Sequence, residues 1–153
     1  MNLISSREIS DKDLPELVLK KAKEFDIKFT YLQGLSDTEK FKIISETKLF
    51  VFPTYFEGLG YPPLECLYVN TPVITYDLPV LRETMAGLID EGVFMVPVGD
   101  KEELKKKAIE IYNNSIEINT RERIEKNTKF EMRVEDLKEK LKVWQEHFKI
   151  KNS

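Results

Sequence analysis

The chain has 153 residues, 41% of them apolar and 33% charged, with a formal net charge of −3. That is the profile of one ordinary globular domain with a core of its own; it argues against disorder and offers no basic block to nucleic acid or an anionic membrane. The apolar runs are too short to span a bilayer, MNLISSREIS lacks the pattern of a signal peptide, and one cysteine, Cys66, excludes an internal disulfide and a cysteine-based metal cluster. These features fit the cytosol, with no transmembrane segment.

In chain order, NLIS reads as a short strand. LPELVLKKAKEF is a helix with Leu14, Leu17, Val18, Ala22 and Phe25 at helical spacing, started by Asp13 and Pro15. IKFTYLQG is a strand, and Ser36-Asp37-Thr38-Glu39 reads as a capping box opening a helix to about Thr47. KLFVFP shows little alternation, as expected of a strand covered on both faces. PPLECLYV is a short helix that Asn70 can end in a left-handed conformation. TPVITYD is a strand, PVLRETMAG a short helix ending at Gly87, and GVFMVP a strand. Asp100 with Glu103 caps KEELKKKAIEIY. A polar helical stretch follows, then VEDLKEKLKVWQEHFK, with Leu137, Leu141, Trp144 and Phe148 on one face.

Strands alternating with helices predict an α/β fold, a Rossmann-like parallel sheet of about five strands flanked by helices. Ligands of such sheets bind beyond the carboxyl ends of the strands. Three corners lie at that end: Gln33–Gly34, Tyr55–Glu65 and Thr75–Asp77. The second, YFEGLGYPPLE, concentrates two glutamates, two glycines and two prolines. Its glycines let a ligand approach the backbone closely, and the helix that follows presents unpaired N–H groups and partial positive charge. The prolines lack N–H groups, which leaves the glycine amides as donors. Glu57 and Glu65 can flank one elongated ligand bearing both phosphate and hydroxyls, the description of a sugar nucleotide. Two plainer roles compete: Glu65 as a first-turn acid favouring the helix dipole, and the two glutamates as a glycosidase pair, which needs no phosphate cradle.

The ordered set FPTYFEGLGYPPLECLYVNTPVITYDLPVLRETMAG closely resembles the donor-binding domain of the GT-B glycosyltransferases of group 1, family 4. That family carries a strand, Pro-Ser/Thr, Glu-Gly-Phe-Gly-Leu-Pro-x-x-Glu, Gly-Thr-Pro-Val-Ile, then a corner with Arg-Glu. FTYLQGLSDTEKFKIIS and GVFMVPVGDKEELKKKAIEI are similar to its flanking segments. The resemblance implies that residues 1–153 form a single donor-binding domain, the C-terminal half of a GT-B fold, in a hexosyltransferase that retains anomeric configuration. It implies a nucleotide diphosphate sugar as donor, no metal and no other cofactor. Glu57 would lie at the donor sugar as the catalytic residue. Glu65 would bind the ribose hydroxyls. The amides of Gly58, Leu59, Gly60 and Tyr61 would serve the sugar and diphosphate, and Gly34 and Leu35 the nucleobase. Against the family pattern the domain looks clipped at its start, where an Arg and a Lys usually grip the diphosphate and Arg7 is a poor substitute. No acceptor domain is within the chain, so a partner domain or subunit is implied, and the isolated chain is expected to be inactive, with peripheral membrane attachment an option for the full enzyme. The alternative is a non-catalytic Rossmann-like module that binds a nucleotide or a partner through the same crevice.

Four further features read as structural. Asp11-Lys12-Asp13 is a helix cap rather than a metal motif, Cys66 is core, Lys105–Lys107 is a solvated helix face, and His147 lies on the polar side of the last helix.

Overall fold

A computed structural model describes residues 1–5, 14–126 and 131–151. Arg7 and Asp11-Lys12-Asp13 lie outside the described residues, as do the side chains of Leu141, Trp144, His147 and Phe148. The chain divides into two compact units, Met1–Asp37 and Thr38–Ser153.

In the first unit, strand β1 (Asn2–Ser5), helix α1 (Leu14–Glu24) and strand β2 (Thr30–Gln33) form a strand–helix–strand unit. The strands pair in parallel, in register from Asn2 with Thr30 to Ser5 with Gln33. Of the apolar positions expected to face a core from α1, Ala22 is buried, while Leu17 and Phe25 are exposed. Two short strands within this unit offer too little surface to cover a three-turn amphipathic helix.

The second unit carries helix α2 (Asp37–Ser45, its first residue belonging to the first unit), strand β3 (Phe50–Phe52), helix α3 (Tyr61–Tyr68), strand β4 (Val73–Tyr76) and helix α4 (Pro79–Thr84). Strand β5 (Val93–Val96), helix α5 (Lys101–Asn114), helix α6 (Arg121–Lys126) and helix α7 (Glu131–Lys151) complete it. Its sheet is parallel, with the order β3-β4-β5. β4 is central and buried along its whole length, and its side chains alternate between two cores. Val73 joins Phe41, Ile44, Leu64, Leu67 and Leu137 on one face, and Ile74 and Tyr76 join Phe94, Val96 and Ile111 on the other. A strand covered on both faces needs apolar residues at every step, hence VITY.

Two expectations are corrected. The five strands do not form one sheet: the described ladders make a two-stranded sheet, β1-β2, and a three-stranded one, β3-β4-β5. β3 is also not covered on both faces, since Val51 is 45% exposed. β3 is three residues long and lies at the edge of its sheet, so its middle side chain escapes the packing that encloses β4.

Local signals hold better. Asp100 Oδ1 accepts the Glu103 amide at 2.9 Å at the start of α5. Asn70 is left-handed, φ 60°, after α3. Its Oδ1 also accepts the amides of Thr120 at 3.1 Å and Arg121 at 3.3 Å, so the residue that ends α3 caps α6.

Candidate functional site

The site grows from the carboxyl end of β3. Thr54 Oγ1 donates to the Phe56 carbonyl at 2.7 Å and accepts the Phe56 amide at 3.3 Å, which tightens the turn out of the strand. The turn lays the Tyr55 ring against Tyr76, centroids 5.1 Å apart, and leaves Phe56 89% exposed. The half-buried Glu57 then folds onto the loop that it begins. Its Oε1 accepts the Gly58 amide at 3.1 Å and the Leu59 amide at 3.4 Å. Two of the amides expected to meet a ligand thus converge on one carboxylate oxygen.

The two glycines of the loop differ. Gly58 is exposed, and a Cβ there would meet open space. Gly60 is buried, left-handed at φ 75°, and serves as the N-cap of α3. A Cβ on it would come 2.5 Å from Leu81 Cδ2 and 3.2 Å from Met85 Cε, at the α4 end of the core. Gly60 is therefore where α3 and α4 close on each other, and only a residue without Cβ fits.

α3 begins at Tyr61, with Pro62 and Pro63 behind it and the Leu64 amide donating to the Gly60 carbonyl at 3.1 Å. The prolines occupy positions whose N–H groups have no helical partner. The Tyr61 hydroxyl donates to the Asp136 carboxylate of α7, and Lys140 of α7 pairs with Asp136 at 2.9 Å and stands 5.3 Å over the Tyr61 ring. The start of α3 is thereby tied to the last helix.

Glu65 is not in the first turn, because α3 starts at Tyr61 and has no acidic residue there. That removes the helix-dipole role as its explanation. Glu65 is 5% exposed between the core residues Leu64 and Cys66. Its Oε1 receives the Lys40 ammonium of α2 at 2.7 Å. The sequence carries no signal that pairs Lys40 with Glu65, because Lys40 lies 25 positions upstream on another helix. Cys66 is core, and burial, followed by the neighbouring Glu65 carboxylate, pushes its thiol well above the usual thiol range while Lys40 pulls it down. At the β4 exit, Arg82 Nε donates to Asp77 Oδ1 at 2.9 Å and a second nitrogen reaches Oδ2, a forked pair bracing the corner.

The structure thus brings Glu57, Gly58, Leu59, Gly60, Tyr61 and Glu65 together around the β3–α3 loop. Gly34 and Leu35 belong to the first unit, directly after β2, with Gly34 left-handed at φ 65°. Among the described residues no group of three or more acidic, histidine or cysteine side chains is placed to hold a metal. No helix of the described residues is long and apolar enough to cross a membrane. An open groove of about 350 Å³ lies at the opposite, amino end of the strands, between Lys48, Pro72 and Ile116.

A parallel sheet flanked by helices, with a glycine loop and a buried acid at its carboxyl edge, defines an α/β domain of the kind whose ligands bind beyond the carboxyl ends of the strands. Residues 11–130 match the family model of the glycosyl transferases group 1, and the chain belongs to that family. It is similar to the O-antigen chain mannosyltransferase RfbU of Salmonella typhimurium, 38% identical over 64 residues, 42% of this chain and 18% of that protein. It is also similar to the mannosylglucosylglycerate synthase of Petrotoga mobilis, 26% identical over 115 residues, 69% of this chain and 26% of that protein. The matched segments therefore span about a quarter or less of these relatives' length. No solved structure was found to match the chain.

Proposed function

We propose that this chain is the donor-binding part of a retaining glycosyltransferase of GT-B architecture. It binds a nucleotide diphosphate sugar, and in the full enzyme the sugar passes to an acceptor hydroxyl. The observation that carries this reading is the convergence of the Gly58 and Leu59 amides on a carboxylate oxygen just before α3. Backbone donors that gather an anionic oxygen within the chain are of the type that gathers phosphate or sugar oxygens of a ligand.

In this reading Glu57 leaves the loop amides when the donor enters and turns to the sugar hydroxyls at the reacting centre. The amides of Gly58, Leu59, Gly60 and Tyr61 take the sugar and diphosphate oxygens. Glu65 accepts hydrogen bonds from the ribose diol. Gly34 and Leu35 remain assigned to the nucleobase by resemblance alone. No metal is required, because preorganised backbone donors meet the charge that develops as the diphosphate leaves.

The test is calorimetry with UDP- and GDP-sugars, a mannosyl donor first because one relative is named a mannosyltransferase. At least one donor should bind. A hydrogen bond to a charged group is worth about 1.5–3 kcal/mol, so Glu65→Ala should weaken binding about tenfold or more. No detectable binding across the panel, or unchanged affinity in a folded Glu65→Ala protein, would overturn the reading.

A further inference from the structure

We infer that Lys40 is a positioning residue for Glu65, fixing one carboxylate oxygen so that the other is presented to the ligand's vicinal hydroxyls. The inference rests on the assignment of Glu65 to the ribose given above. Lys40 stands on α2 beside Phe41, whose ring is buried in the core, so the helix holds the lysine stem against the domain. Its ammonium meets Glu65 Oε1 at 2.7 Å, with the Glu65 side chain 7% exposed and that of Lys40 25% exposed. Among the described residues no hydrogen bond is made by Glu65 Oε2, the oxygen left for a ligand.

Stability alone is a poor reason for such a pair, since well-packed apolar side chains in the same space do as well or better. A function explains it. A carboxylate on a short helix, held at one oxygen by a cation, is fixed in orientation, and its surroundings are nearly dry. Both conditions suit an acceptor that must take two adjacent hydroxyls with fixed geometry.

The experiment compares binding of UDP and GDP with binding of their dideoxy analogues, which lack both ribose hydroxyls, in native protein, Lys40→Met and Lys40→Arg. Native protein should prefer the ribose form about tenfold or more. Lys40→Met should lose most of that preference while still binding the dideoxy form as native protein does. Lys40→Arg should restore it, because guanidinium supplies the same charge-assisted contact. Lys40→Gln replaces Lys40→Met should the latter fail to fold. A native preference that survives intact in Lys40→Met or Lys40→Gln would overturn the positioning role and leave the Glu65 assignment standing. Absence of any preference in native protein would overturn the Glu65 assignment itself, and this inference with it.

Discussion

Gly60 carries two constraints at once, a left-handed backbone and a missing Cβ that would meet Leu81 at 2.5 Å. Gly60→Val therefore strains the turn and overpacks the core beneath it, together costing about 2–5 kcal/mol. Thermal unfolding should show a fall of many degrees, whatever happens to ligand binding. Gly58→Ala is the control, since its Cβ would point into open space and its φ is not left-handed. That variant should melt within a degree or two of native protein. Equal melting temperatures for native protein and Gly60→Val would mean that α3 and α4 do not close on this residue. The pattern Gly-Leu-Gly does not reveal which glycine is structural, because the answer lies in Leu81 and Met85, some twenty residues later.

At the scale of elements, Asn70 joins two helices that are distant in sequence. Its backbone ends α3 and its side chain caps the amides of Thr120 and Arg121 at the start of α6. Thr120 Oγ1 closes the same junction by donating to the Leu67 carbonyl at 2.6 Å, and Arg121 Nε donates to the Tyr68 carbonyl at 2.8 Å. Loss of a cap costs about 1 kcal/mol, and a left-handed alanine adds about 1–2 kcal/mol. Asn70→Ala should thus lose about 2–3 kcal/mol in denaturant unfolding. Asn70→Gly, which keeps the backbone and loses only the cap, should lose about 1 kcal/mol. If the two variants are equally stable, the left-handed conformation contributes nothing. The sequence indicated the helix stop through the residue type at position 70; it carried no signal that the same amide would reach position 120.

For the molecule as a whole, the expected behaviour is binding without turnover. A transferase must hold an acceptor hydroxyl beside the anomeric carbon, and proximity and orientation contribute about 7–11 kcal/mol to such a reaction. The segments matched in two relatives are 18% and 26% of those proteins, so most of each lies outside the matched segment. These 153 residues incubated with labelled sugar nucleotides and lipid or sugar acceptors should release no glycoside. Turnover at about 1 per second or faster, the ordinary range of enzymes, would show an acceptor site within this chain. Turnover that begins only when a second polypeptide is added would identify the acceptor-binding partner. The exposed side chains of Phe56 and Leu59 beside the loop would then be the place to seek protection on complex formation.

The strand–helix alternation, the helix starts at Pro79 and Asp100 and the glycine loop after β3 were all legible in the residues. Each depends on local rules: side-chain periodicity, proline's missing N–H, a carboxylate within reach of an amide three residues on. What required the tertiary structure depends on which distant segments meet. That β3 is an edge strand, that Gly60 faces Leu81, and that Glu57 occupies the loop's own amides are matters of packing between elements or of one rotamer among several. The clearest case is Glu65. Its place beyond the glycine loop that Glu57 begins made it a candidate site residue, yet its surroundings were set by Lys40 on another helix. A charge in a nearly dry place is governed by its nearest countercharge, and the fold, not the spacing, chose that neighbour.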